Sequence, residues 1–229
     1  ITLCSSERPL SSLCSVFISS RIFGGRNKTS LWPYDAGMSN SPSAPGRAGF
    51  SEQSRTLIHK GRKFDFEMVT VDLKNGKTLQ REVVRHPGAV VIVPILDNGD
   101  VVLIRNSRIA IGQVLLECPA GTLEANEEPA ICAGRELIEE TGYEAATIAS
   151  LGWFYTTPGL TDEKMYAFAA SGLKHVGQAL EEDENIVVEI VPGAEAVRRA
   201  EQGEMFDAKS MLAILLAQRG GHLSRGKVR

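Results

Sequence analysis

Cysteine is scarce: Cys4, Cys14, Cys118 and Cys132 are the only four, and no two form a Cys-x-x-Cys pair. That argues against a zinc knuckle or a disulfide framework, fits a reducing compartment and makes a cytoplasmic location the expectation. Excess charge is also missing. A formal net charge of −3 over 229 residues offers no general attraction to nucleic acid. No apolar run reaches membrane-spanning length, so neither nucleic acid nor membrane is expected as a partner. With 43% hydrophobic and 23% charged residues, the chain has the composition of one sizeable globular core plus a tail.

The first fifty or so residues are rich in Ser, Gly, Pro and Arg and carry no sustained periodicity, so residues 1–55 are expected to be a disordered extension. The sequence opens on Ile1 and its first methionine is Met38, which makes 1–37 read as sequence upstream of the true start. A targeting peptide, suggested by the serines with Arg8, Arg21 and Arg26, ranks second for want of a formed apolar segment and a cleavage site. Residues 56–219 are expected to form one domain and 220–229 a tail.

Periodicity sets in after residue 56. Lys63 to Leu73 alternates around Phe64, Phe66, Met68, Val69 and Val71, and Asn75-Gly76 is a hairpin turn before Thr78 to Val84. Ala89 to Leu96 is a nearly continuous apolar run, turned back at Asp97-Asn98-Gly99-Asp100 into a strand at Val101 to Arg105. Further strands are expected at 114–117, 147–155, 164–171 and 186–191, with helices at 129–141, 194–202 and 208–219. This pattern predicts an α/β protein, an α/β/α sandwich with a mixed central sheet preceded by an N-terminal antiparallel strand pair.

The segment that specifies chemistry is 121–143. Pro129 suits a first helical turn and Gly142 the left-handed position after the last, which bounds a helix at 129–141. On it, Glu136, Glu139 and Glu140 stand at i, i+3 and i+4 and share one face, while Ala130, Ala133, Leu137 and Thr141 are expected to pack on the sheet. Three carboxylates so close repel one another unless a hard divalent cation lies among them, and Mg²⁺ prefers carboxylates, water and substrate phosphates. On Glu139-Glu140 alone, a solvated acidic face would be the simpler reading.

The wider context resembles a known family. Gly121, five residues, Glu127, seven residues and then Arg135-Glu136-Leu137-x-Glu139-Glu140-x-Gly142 match the Nudix box of the diphosphohydrolases at every specified position. Only Tyr143 departs mildly, being aromatic where an aliphatic is usual. The resemblance implies that Glu136, Glu139 and Glu140 bind Mg²⁺, or Mn²⁺ in its place, with the Ala120 carbonyl completing the shell. Glu139 would thereby be catalytic as well. Glu127 and Arg135 would pair to hold loop against helix, and Gly121 would allow close backbone approach.

The flanks narrow the resemblance to ADP-ribose pyrophosphatases and related nucleotide-sugar hydrolases. Leu115-Leu116-Glu117-Cys118-Pro119-Ala120-Gly121 is similar to their approach to the box, and Tyr155-Thr156-Thr157-Pro158-Gly159 carries a proline about fifteen residues beyond it. The subgroup resemblance implies that Arg108 contacts substrate phosphate, with Glu117 and Pro158 also at the substrate, and that Arg81 reaches substrate across a homodimer. Strands 63–84 would complete the partner's site. The acidic run Leu180-Glu181-Glu182-Asp183-Glu184-Asn185 resembles the loop that supplies a general base, Glu182 or Glu184. The implied activity is hydrolysis of ADP-ribose to AMP and ribose 5-phosphate. ADP-glucose, GDP-mannose and non-catalytic ADP-ribose binding are the alternatives.

Overall fold

The computed structural model describes residues 49–180 and 185–224. The extension before residue 49, the tail beyond 224 and the base candidates Glu182 and Glu184 lie outside the described residues. Strands β1 (Phe50–Lys60), β2 (Asp65–Leu73) and β3 (Thr78–Arg85) form an antiparallel sheet in that order. The strand pair expected at 63–84 is β2–β3, turned at Gly76 with φ 79°. Its partner β1 is a correction. This strand runs across residue 56, where the domain was expected to begin, so residues 50–55 are paired strand rather than disordered extension. Every residue of β1 is exposed, so no inward apolar face announces it in the sequence, and its order comes from the ladder to β2.

The chain then gives β4 (Ala89–Pro94), β5 (Val101–Arg108), β6 (Gln113–Glu117), β7 (Ala120–Thr122), α1 (Pro129–Thr141), β8 (Tyr143–Tyr155), β9 (Lys164–His175), β10 (Ile186–Val191), α2 (Gly193–Gln202) and α3 (Ala208–Arg219). The central sheet has the order β7-β4-β9-β8 and is mixed: β4 runs parallel to β9, and β7 and β8 are antiparallel to their neighbours. A second sheet has the order β10-β5-β6. All six residues of β4 are buried, as a strand covered on both faces requires.

Alternation along β4 feeds two cores. Val90 and Ile92 pack with Cys132, Ala133 and Leu137 of α1 and Phe168 of β9. Val91 and Val93 face the other way, onto Leu103 of β5, Val197 of α2 and Ala213 and Ile214 of α3. With α1 on one face and α2 and α3 on the other, the α/β/α sandwich with a mixed central sheet is the observed architecture. Complete burial of Leu137 contributes on the order of 2–3 kcal/mol. Ala130 is exposed instead of joining the stripe, because Cys132 and Ala133 are the residues that meet the sheet.

Helix α1 is bounded by local chemistry. Pro129 occupies its first turn, and Gly142 takes φ 74° while its N–H donates to the Ile138 carbonyl at 2.8 Å. A Cβ at Gly142 would lie 2.8 Å from backbone atoms of Gly177 and Gln178. The strand β8 therefore starts directly after the cap, at Tyr143 rather than at Thr147, and pairs as far as His175.

Candidate active site

The acidic face of α1 is pressed against β7. Glu136 and Glu140 are buried, and Glu140 Oε2 accepts the Ala120 N–H at 2.8 Å. A Cβ built on Gly121 would overlap the Glu136 carboxyl, so this cradle of backbone and carboxylate exists only with glycine at that position. Arg135 stands at the centre. Its Nε and Nη2 bind the two oxygens of Glu127, each at 3.0 Å, and its Nη1 donates to Glu136 at 2.8 Å and Glu139 at 2.9 Å. The guanidinium holds the Glu127 carboxyl at about 2, well below its ordinary 4.5. Among the described residues no three His, Cys, Asp or Glu side chains converge as a ready metal cage; the carboxylates are engaged by Arg135 and by the Ala120 amide. The chemistry of the donors still fits a hard divalent cation: carboxylate and carbonyl oxygens on one face, with close backbone approach at Gly121.

Beside this face lies a cation cluster built from three elements. Arg108, at the end of β5, forms a bidentate pair with Glu117 at the end of β6, with distances of 2.8 and 2.5 Å. Lys209, in the first turn of α3, reaches the same Glu117 carboxylate at 2.5 Å and Asp207 at 2.8 Å. Glu117 has 0% of its surface exposed, so two cations compensate one fully buried carboxylate. The Glu117 hydrogen bonds raise the Arg108 guanidinium above its ordinary value and keep it charged. Asp207 caps α3, accepting from the Ser210 N–H at 3.1 Å and from the Ser210 hydroxyl. That hydroxyl in turn accepts the Cys118 N–H at 2.7 Å, which locks the β6–β7 corner to α3. Burial pushes the Cys118 thiol up to about 12 and raises Cys132 as well, so neither is a thiolate nucleophile at neutral pH.

The cation cluster, and the β7 backbone against which the carboxylates pack, border one cavity of about 560 Å³, a size that suits a small-molecule ligand. Arg108, Lys209, Ala120 and Gly121 line it, together with His86 and Glu163. The Thr156 hydroxyl donates to Glu163, whose other carboxylate oxygen is 3.6 Å from His86 Nε2. His86 Nδ1 accepts the Gly88 N–H at 3.1 Å, and Phe64 stacks on the imidazole with 5.7 Å between centroids. Tyr155, another lining residue, stands edge-on to Trp153 at 5.5 Å, and Lys164 Nζ lies 4.2 Å above the Trp153 ring.

The sequence-predicted residues fall into three groups. Arg108, Ala120 and Gly121 line the cavity, while Glu117 lies buried beneath Arg108 and Lys209 and touches those cations. Glu136, Glu139 and Glu140 stand on α1 against β7 and away from the cavity's own lining. Pro158 borders a neighbouring hollow of about 310 Å³, and Arg81 is exposed on β3 and lines neither, its Nη1 donating to the Gln80 carbonyl at 2.8 Å. Lys209, Glu163 and His86 are cavity residues that sequence reasoning missed. For Lys209 a signal existed: Asp207 before the apolar helix is an N-cap, which puts Lys209 in the first turn.

The chain matches the family model for the NUDIX domain over residues 85–214. It is 39% identical over 167 residues to an ADP-ribose pyrophosphatase of Bacillus subtilis (strain 168), covering 72% of this chain and 90% of that protein. It is 36% identical over 163 residues to a methanol dehydrogenase activator of Bacillus methanolicus, covering 70% and 88%. A GDP-mannose pyrophosphatase of Escherichia coli O1:K1 is 35% identical over 167 residues, covering 66% and 86%. A crystal structure of an ADP compounds hydrolase superposes with a TM-score of 0.68 over 80% of this chain and 100% of that one, at 23% identity, a likeness of fold alone. No helix among the described residues is long and apolar enough to cross a membrane. By the family match, and by relatives aligned over most of their length, the chain belongs to the NUDIX domain family and is a Nudix hydrolase.

Proposed function

We propose that this protein hydrolyses the diphosphate bond of ADP-ribose or a related nucleoside diphosphate sugar, releasing AMP and ribose 5-phosphate from ADP-ribose. The observation that carries this reading is the juxtaposition of the Glu136, Glu139 and Glu140 face with a cavity lined by Arg108 and Lys209. Glu136, Glu139, Glu140 and the Ala120 carbonyl are the residues to hold Mg²⁺, or Mn²⁺ in its place. Bound there, a divalent ion supplies charge neutralisation for the diphosphate and a water of lowered pKa. Arg108 and Lys209 bind phosphate oxygens, and Glu117 keeps both cations aimed. Glu163, with Thr156, offers an acceptor for sugar hydroxyls, while Tyr155 and Phe64 give apolar surface. Glu182 or Glu184 is the proposed general base for the attacking water. Pro158 turns the loop after β8, and Arg81 is proposed to act at the partner's site in a homodimer.

The names of the relatives favour a nucleoside diphosphate sugar as substrate and leave ADP-ribose and GDP-mannose as the leading pair. A second reading, a binding module that regulates another protein, is favoured by the relative named an activator. A panel of ADP-ribose, ADP-glucose and GDP-mannose with Mg²⁺ tests both, with product phosphomonoesters read through a phosphatase. Turnover is expected, and Glu140→Gln is expected to lower kcat at least about a hundredfold while the protein stays folded. Unchanged Mg²⁺-dependent turnover in that variant would remove the metal assignment. Tight binding without turnover in the wild type would favour the regulatory module.

A further inference from the structure

Two of the cavity residues, His86 and Glu163, adjoin a side chain that does not line the cavity. The loop 156–163 between β8 and β9 lies against the end of β3, where Val84 N–H donates to the Leu160 carbonyl at 2.9 Å and Val84 and Thr161 form a parallel bridge. Asp162 closes this junction. Its Oδ1 accepts the His86 N–H at 2.8 Å, its Oδ2 pairs with Arg85 Nη1 at 2.5 Å, and its own N–H reaches the Val84 carbonyl at 3.3 Å. The chain neighbour on one side of Asp162 is Glu163, and the residue hydrogen-bonded through its carboxylate is His86. Both line the large cavity, whereas Asp162 borders the smaller neighbouring hollow. Arg85 in turn stands 3.8 Å from Glu67, which binds Arg55 at 2.6 Å, so the clamp continues into β2 and β1.

We propose that Asp162 is a positioning residue for substrate: by binding the His86 amide and Arg85 together, it sets the distance between His86 and Glu163 and thereby the fit of the sugar part of a nucleoside diphosphate sugar. The proposal rests on the hydrolytic reading above. It concerns binding geometry, because the partners of Asp162 are His86, Arg85 and Val84 rather than the α1 carboxylates or the Arg108–Lys209 cluster. His86 is fixed from three directions. Its amide is held by Asp162, its Nδ1 accepts the Gly88 N–H, and its ring is stacked by Phe64, which leaves Nε2 facing Glu163 at 3.6 Å. Removal of the Asp162 carboxylate frees the first of these and leaves Arg85 with Glu67 alone.

The test is a comparison of Asp162→Ala, which loses both interactions, with Asp162→Asn, which keeps an oxygen acceptor for the His86 N–H but not the charge opposite Arg85. Steady-state hydrolysis of the best nucleoside diphosphate sugar with Mg²⁺ should show KM raised about tenfold in Asp162→Ala with kcat within about twofold, and KM within about threefold in Asp162→Asn. Amide hydrogen exchange, which needs no turnover, should show the His86 N–H exchanging at least about tenfold faster in Asp162→Ala and near the wild-type rate in Asp162→Asn. An unchanged KM in Asp162→Ala, or an equal loss in kcat for both variants, overturns the positioning role. Absence of wild-type protection at the His86 amide overturns the clamp itself. If the wild type hydrolyses no member of the panel, the hydrolytic reading fails instead and the exchange measurement still decides the clamp.

Discussion

Glu127 shows how a single pair ties local chemistry to stability. Both its oxygens are bound by Arg135, and its carboxyl is held at about 2 against an ordinary 4.5. The folded value is lower than the unfolded one, so the stabilisation is complete above about 4.5 and is lost as pH falls through about 2. Replacing Glu127 by Gln should cost about 1 kcal/mol at neutral pH. In urea melts the gap from wild type should narrow as pH drops below 4.5 and close near 2, and a gap constant across that window would contradict the pairing. Gly121, Glu127 and Arg135 could be read from the chain because their partners lie within one short segment. Lys209 could not be read so directly, since the carboxylate it meets is Glu117, 92 residues earlier. Glu163 and His86 were hidden in the same way, being joined across β3 and the loop before β9.

Helix α3 carries the corresponding lesson for elements. Asp207 both caps it and pairs with Lys209, so Asp207→Ala should lower stability by about 1–2 kcal/mol, and Asp207→Asn, which keeps a capping acceptor, by less. Thermal melts of the two variants check this, and equal losses would mean that the cap contributes nothing. The limits of α1 were legible because Pro129 and Gly142 act on the backbone beside them. The apolar run of β4 was legible because both of its faces are covered. By contrast β1 is exposed throughout, and β7 is three residues long, too short for any period to show. Their order comes from partners elsewhere in the chain, β2 for the one and β4 for the other. Tertiary pairing of this kind leaves little local trace.

At the level of the whole molecule, the β1–β2–β3 sheet leaves Phe50, Leu57 and Ile58 about half exposed. Apolar surface of this kind on an outer sheet is a feature of association sites. The proposed homodimer predicts a light-scattering mass of twice the chain, and a chain lacking residues 1–61 should fall to a single-chain mass with turnover reduced at least about tenfold. A full-length protein that stays at single-chain mass at micromolar concentration would refute the dimer. Layering was the part of the architecture most open to sequence reasoning. Alternation along β4 already demands two covers, one supplied by α1 and one by α2 and α3.

Trp153 gives the molecule an optical gauge. Its indole carries the Lys164 ammonium on one face and meets the edge of Tyr155, whose ring lines the large cavity. The only other tryptophan in the sequence is Trp32, so a Trp32→Phe background isolates the emission of Trp153. A ligand that moves Tyr155 as it enters should change that emission at the moment of binding. Occupancy then becomes readable separately from bond cleavage, in the same cuvette and without a label.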